Sequence, residues 1–173
     1  MEKTRLVLIA VDTNVLFDRA TDDADVIDAL ATIRARLKAA EFIVTPTVLE
    51  ELAALYEKGT EVEQNAAERA IVSLAEWGFR PLNLIPAGHG IVEQIALSFR
   101  LKGILPDEEM NDGLIIAEAA LLGCALLLSA DTHLLEAQAH PMFRGVLKDS
   151  HAEGDGLVIA TPRHIARQFF QSK

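Results

Sequence analysis

The chain has 173 residues, half of them apolar and about a quarter charged, with 10 glycines and 6 prolines, so fibrous and disordered classes are excluded. Residues 1–173 read as one domain of ordinary size, able to bury roughly two thirds of its unfolded surface without disulfides or a structural metal. Sixteen basic against 26 acidic residues give a net charge of −10, which speaks against a general polyanion binder. The one cysteine, Cys124, sits in an apolar run and fits a reduced compartment.

Leu6 to Val11 reads as a fully buried strand. The opening MEKTRLVLIAVDTN lacks a cleavage site and its apolar run meets an acid, so no signal peptide is expected. After the strand, Asp22 or Asp23 can cap a helix whose apolar positions Val26, Leu30, Ile33 and Leu37 follow the helical period. Phe42 to Val44 is a second strand. Thr45-Pro46 then offers a cap and a first-turn proline for a helix through Tyr56, with Gly59 as its stop. An amphipathic helix follows over 61–76, then a third strand over Leu82 to Ile85.

Helices are expected at about 89–101 and 108–122, the second closed by Gly123. Ala125 to Ser129 is a buried strand, and a short helix follows Asp131. Loops look short except around Lys148 to Gly156. Leu157 to Ala160 forms the last strand, and Thr161-Pro162 starts a final helix over 162–170. The longest apolar stretch, Gly113 to Ala130, is broken by Glu118, Gly123 and Ser129, so no membrane span is expected and the chain reads as cytoplasmic. Alternating helices and uninterrupted apolar strands predict an α/β fold with a parallel sheet covered on both faces.

In such a sheet the working site lies beyond the carboxyl ends of the strands, and four acids can gather there. Asp12 follows the first strand, Glu51 lies about a turn and a half into the helix after the second, and Asp131 follows the strand ending at Ser129. Asp112 lies in the helix that feeds that same strand, with Asn111 beside it as an anchor for backbone or substrate. Carboxylates packed together repel and raise one another's pKa values unless a cation intervenes. Oxygen ligands without a Cys or His cluster point to a hard ion, Mg²⁺ or Mn²⁺. Histidines 89, 133, 140, 151 and 164 show no ligand spacing and are read as structural or surface residues. The chemistry expected of such a centre is phosphodiester hydrolysis by water.

The segments V-D-T-N-V-L (11–16), T-P-T-V-L-E-E-L (45–52), N-D-G-L-I-I-A-E-A (111–119) and L-L-S-A-D-T-H-L (127–134) together resemble the PIN domain family, over about Val7 to Phe169. The resemblance implies a three-layer α/β/α sandwich around a central parallel sheet. It also implies metal-dependent endoribonuclease activity, as in VapC-type toxins or in RNA processing, with RNA as substrate and an antitoxin protein as candidate partner. Carried over by position, Asp12, Glu51, Asp112 and Asp131 become the catalytic and metal-binding acids, with Glu50 as the fallback for Glu51. Asn14 becomes the residue holding the first-strand turn, and Ser129 a supporting hydroxyl.

Substrate contact by so acidic a chain must depend on local basic patches. Arg144, Lys148, Arg163 and Arg167 are the first candidates, in a region (144–173) with an excess of basic over acidic side chains, and Arg34, Arg36 and Lys38 form a second group. Exposed apolar faces on the first two predicted helices suggest a homodimer. A haloacid-dehalogenase-like phosphatase would want a second aspartate where Asn14 stands, and a receiver-like domain would want a lysine where Thr161-Pro162 follows the last strand. The remaining alternative is a non-catalytic PIN module that binds RNA or a protein.

Overall fold

The computed structural model describes residues 6–150 and 156–171. Their elements run β1 (Val7–Val11), α1 (Thr13–Ala20), α2 (Ala24–Arg36), β2 (Ala40–Val44), α3 (Pro46–Lys58), α4 (Glu61–Ser73) and β3 (Phe79–Pro81). The second half continues as α5 (Pro86–Leu101), α6 (Met110–Leu121), β4 (Leu126–Leu128), α7 (Thr132–Ala139), α8 (Phe143–Asp149), β5 (Val158–Ala160) and α9 (Pro162–Gln171). The strands form a single five-stranded sheet in the order β3-β2-β1-β4-β5, with every neighbouring pair parallel.

Successive residues of a strand point to opposite faces, yet Ile9, Ala10 and Val11 are all 0% exposed, so helices must cover the sheet on both sides. That is the expected three-layer α/β/α arrangement. From β1 the chain builds β2 and β3 to one side, then crosses back to place β4 and β5 on the other. This reversal puts the topological switch point between β1 and β4, where a crevice opens at their carboxyl ends. The register Val11 with Leu128, extended by Asp12 N–H donating to the Leu128 carbonyl at 2.9 Å, brings Asp12 beside Ser129.

Side-chain caps start several helices, those of α2 and α9 as expected. Asp23 accepts from the Val26 amide at the head of α2, Thr60 and Glu63 form a reciprocal capping box on α4, and Thr161 accepts from the His164 amide on α9. Asp22 is held at a positive φ of 59° by Arg69, which donates to both its carboxylate oxygens and so ties α1 to α4. Pro46 occupies the first turn of α3 and Gly59 its end, but the Thr45 side chain makes no capping bond. Glu118 of α6 takes that place, accepting from the Thr47 amide.

Three elements differ from the sequence reading. Asp12 caps a helix of its own, α1, because Val15, Leu16 and Ala20 bury one face at helical spacing. The third strand is Phe79–Pro81 rather than Leu82 to Ile85; Pro81 lacks a ladder donor and is tolerated because β3 is an edge strand. Leu82 to Ile85 instead leads into α5, which starts at Pro86. Helix α8 was not anticipated: Phe143 is fully buried and stacks on Phe99 of α5, ring centroids 5.5 Å apart. Burying one such ring contributes about 1.5–3 kcal/mol, enough to hold a seven-residue helix against α5. The loop expected up to Gly156, with His151, lies largely outside the described residues.

The dimer argument from exposed faces also changes. Leu30 and Ile33 of α2 are buried within the core, while Tyr56 is exposed on α3 and Val62, Ile71 and Val72 are exposed on α4. Among the described residues, no helix is long and apolar enough to cross a membrane.

Candidate functional site

Asp12 follows β1 as the N-cap of α1. Its Oδ1 accepts from the Thr13 amide at 2.7 Å, while Oδ2 accepts from Ser129 Oγ at 2.7 Å and from Asn14 Nδ2 at 3.1 Å. Three donors therefore fix a carboxylate that is only 4% exposed. Burial pushes its pKa above the ordinary value and the nearby Asp131 charge adds to the rise, while the three donors pull the other way.

The same hydroxyl that serves Asp12 also shapes the opposite loop. Ser129 Oγ accepts from the Asp131 amide at 2.9 Å, and Asn14 Oδ1 accepts from the Ala130 amide at 3.0 Å. Asn14 thus staples the end of β4 to the start of α1. Asp131 caps α7, its Oδ1 accepting from the His133 amide at 2.8 Å, and the residue also lines the crevice.

Two more carboxylates enter from helices. Glu51 of α3 accepts from the Thr13 hydroxyl at 3.2 Å through Oε2, while Oε1 is buried and receives no hydrogen bond. Burial first, then the Asp12 charge, pushes its pKa to about 7. Asp112, in the first turn of α6, buries Oδ2 without a donor. Burial again leads, followed by the charges of Asp131 and Asp12 and a contact with Glu109, and its pKa rises to about 8.

Asp12, Glu51, Asp112 and Asp131 line one cavity of about 260 Å³, together with Thr13, Asn14, Phe17, Leu55 and Glu63. No Lys, Arg or His is among these lining residues. Among the described residues, no three Asp, Glu, His or Cys side chains converge tightly enough to form a ready-made ligand set. The acids surround a space rather than pinch it shut. That spacing suits a hydrated hard cation, because Mg²⁺ usually keeps several waters and meets few carboxylates directly. The two buried oxygens without donors are the atoms whose desolvation such an ion would offset.

The other sequence candidates are placed elsewhere. Glu50 is exposed and lines a separate groove with Pro46, Pro81 and His89, so of the adjacent pair it is Glu51 that faces the acids. Asn111 is exposed in the first turn of α6 and does not line the cavity. None of Arg144, Lys148, Arg163 and Arg167 lines it either. Arg144 donates to the Leu157 carbonyl; Arg163 pairs with Asp25 at 3.6 Å and, with Arg167, borders a groove between α2 and α9. Arg34 is taken up by the fold, donating to the Trp77 carbonyl and lying over the rings of Phe42 and Phe79. His133 approaches Glu109 at 3.7 Å, and neither lines the cavity.

Sequence reasoning missed Thr13, Glu63 and Glu118. Thr13 and Glu63 carry no distinctive signal, since one reads as a turn residue and the other as a capping-box acid. Glu118 did carry one: an acid inside an apolar helix must find buried donors.

No curated protein matches the chain. Among solved structures, it is similar to VapBC2 from Rickettsia felis bound to a DNA fragment from their promoter, at 15% identity over 90% of this chain and 98% of that one, with a TM-score of 0.62. It is also similar to VapC20 from Mycobacterium tuberculosis, a sarcin-ricin loop cleaving toxin, at 16% identity over 75% of this chain and 94% of that one, with a TM-score of 0.48. A domain of a functionally unknown protein from Methanocaldococcus jannaschii shares 19% identity over 89% of this chain and 91% of that one, with a TM-score of 0.44. The PIN domain family model matches residues 9–139, a span that holds both walls of the switch-point crevice and all four of its acids. The chain therefore belongs to the PIN domain family.

Proposed function

We propose that the cavity is the active site of a Mg²⁺- or Mn²⁺-dependent endoribonuclease. The observation that carries this reading is the pair of buried, donor-free oxygens, Glu51 Oε1 and Asp112 Oδ2, in a cavity ringed by acids at the switch point. When bound there, a divalent ion supplies a more acidic water for attack on phosphorus and positive charge against the negative charge building on the phosphate. Asp12, Glu51, Asp112 and Asp131 would hold it. Ser129 and Asn14 favour the charged form of Asp12 and aim it, and Thr13 orients Glu51. The acids, left alone, would repel a phosphate backbone, so metal loading and substrate entry are coupled by charge.

The proposed phosphate contacts outside the cavity are Arg144, Lys148, Arg163 and Arg167. The exposed Tyr56 and Val62, where α3 meets α4, support a protein partner: an antitoxin, with a second copy of the chain as the other occupant. A cytoplasmic location accords with an RNA substrate. The non-catalytic reading has one observation on its side, the absence of three acids at ligand spacing among the described residues.

The test is cleavage of a labelled single-stranded RNA with Mn²⁺, with EDTA, and by Asp12→Asn and Asp131→Asn chains, with single-stranded DNA as comparison. Cleavage that needs the metal and both aspartates supports the proposal. Undiminished cleavage by both variants overturns the site, and no cleavage with any divalent ion favours the non-catalytic module.

A further inference from the structure

Helix α3 begins without the means to cap itself. Pro46 has no amide proton and the Thr45 side chain makes no capping bond, so the first amide of the helix in need of an acceptor is that of Thr47. Glu118 reaches it from α6. Both carboxylate oxygens lie 3.2 Å from the Thr47 nitrogen, and the Thr47 hydroxyl donates to Oε1 at 2.6 Å. Glu118 is 3% exposed in a helix otherwise apolar from Gly113 to Leu122, where an unsatisfied carboxylate would be strongly disfavoured. The amide, the hydroxyl and the positive end of the α3 dipole offset that cost together.

The clamp and the cavity are successive rungs between the same two helices. Thr47 precedes Glu51 by four residues on α3, about 6 Å along the axis, and Glu118 follows Asp112 by six on α6, about 9 Å. The helices therefore run antiparallel, with Glu118 against Thr47 at one level and Asp112 and Glu51 facing the cavity at the next. A helix is stiff over one turn, so displacement of Thr47 is transmitted to Glu51. We infer that Glu118 is a positioning residue, which pins the first turn of α3 to α6 and so sets how far Glu51 reaches into the cavity opposite Asp112. What it positions for rests on the nuclease reading; the clamp itself does not.

Three variants of the full chain test this: Glu118→Ala, which removes the acceptor, Glu118→Gln, which keeps an acceptor oxygen without the charge, and Thr47→Val, which removes the hydroxyl donor. In metal-free protein, hydrogen exchange of the Thr47 amide should quicken at least about tenfold in Glu118→Ala, the change expected when a buried amide loses its acceptor, and stay close to wild type in Glu118→Gln. Mn²⁺ affinity by calorimetry should weaken about tenfold or more in Glu118→Ala, as for loss of a ligand-orienting group, and recover in Glu118→Gln. On RNA, kcat should fall while KM moves little, which a merely destabilised but folded chain would not show.

A folded Glu118→Ala protein with wild-type exchange at Thr47 and wild-type Mn²⁺ affinity overturns the inference, as does a Glu118→Gln protein as impaired as the alanine variant. If the alanine variant does not fold, Thr47→Val decides: weaker Mn²⁺ binding than wild type supports the clamp, and equal binding overturns it. A wild-type chain that binds no Mn²⁺ overturns the nuclease reading, and the exchange measurement then judges the clamp on its own.

Discussion

Ser129 Oγ donates to Asp12 Oδ2 at 2.7 Å across 117 residues of sequence, and the same oxygen accepts from the Asp131 amide at 2.9 Å. One hydroxyl thus fixes the two acids on either side of the switch point. Ser129→Ala removes both bonds at a fully buried position. The expected loss is about 1–3 kcal/mol of stability, since a buried acceptor and a buried donor each lose a partner. Denaturant unfolding checks the size, and a change below about 0.5 kcal/mol would mean that water replaces the hydroxyl.

Asn14 is placed to act on Asp12 in the opposite electrostatic sense to an acid. Its Nδ2 donates to Asp12 and its Oδ1 accepts from the Ala130 amide. Asn14→Asp turns the donor into a like charge, which should raise the apparent pKa of the acid group. The pH-rate profile for RNA cleavage should move upward. A profile left in place would show that Asn14 serves the turn alone.

The raised carboxylates fix the sign of the pH dependence. Glu51 stands at about 7 and Asp112 at about 8 in the folded chain, against 4.5 and 3.8 ordinarily. The folded state therefore binds more protons than the unfolded one between those limits, so metal-free stability falls as pH rises from about 4 to about 8. A cation must displace these protons, so its apparent affinity rises over the same window. Thermal unfolding at pH of about 5 and about 8 should show Mn²⁺ raising Tm far more at the higher pH. An equal effect at both would contradict the assigned shifts.

Asp112→Asn removes a buried charge whose oxygen has no donor. Without metal at pH of about 8, Tm should rise by roughly 3 °C or more, the change that about 1 kcal/mol produces in a chain of this length. The added stability conferred by Mn²⁺ should shrink at the same time. A lower Tm in metal-free buffer would mean that the carboxylate is satisfied by the fold.

Much of this arrangement was legible in the sequence because the sheet edge is written in local chemistry. Asp12, Asn14, Ser129 and Asp131 sit directly after apolar strands, and parallel pairing of β1 with β4 then brings them together. The clamp between Glu118 and Thr47 was not legible, because which helix meets which depends on packing between segments 71 residues apart. Helix α8 was obscured by Pro141 and Gly145, and burial of Phe143 against Phe99, with Val146 and Leu147 buried beside it, holds it. The strand β3 was displaced because Leu82 to Ile85 is more apolar than Phe79–Pro81, yet Phe42 and Phe79 pack edge to face and set the register. Arg34 reads in the sequence as one of a basic group for substrate contact, and only the fold shows it lying over two phenylalanine rings.

The most direct measurement is anomalous diffraction from crystals of the full chain soaked in Mn²⁺ at pH of about 8, the upper end of the window in which a cation displaces protons from Glu51 and Asp112. A peak is expected inside the cavity, within about 2.0–2.6 Å of at least one oxygen of Asp12, Glu51, Asp112 or Asp131 and linked to the others through water. Strong peaks elsewhere on the molecule, with the cavity empty and the four carboxylates turned apart, would contradict a cation centre at the switch point.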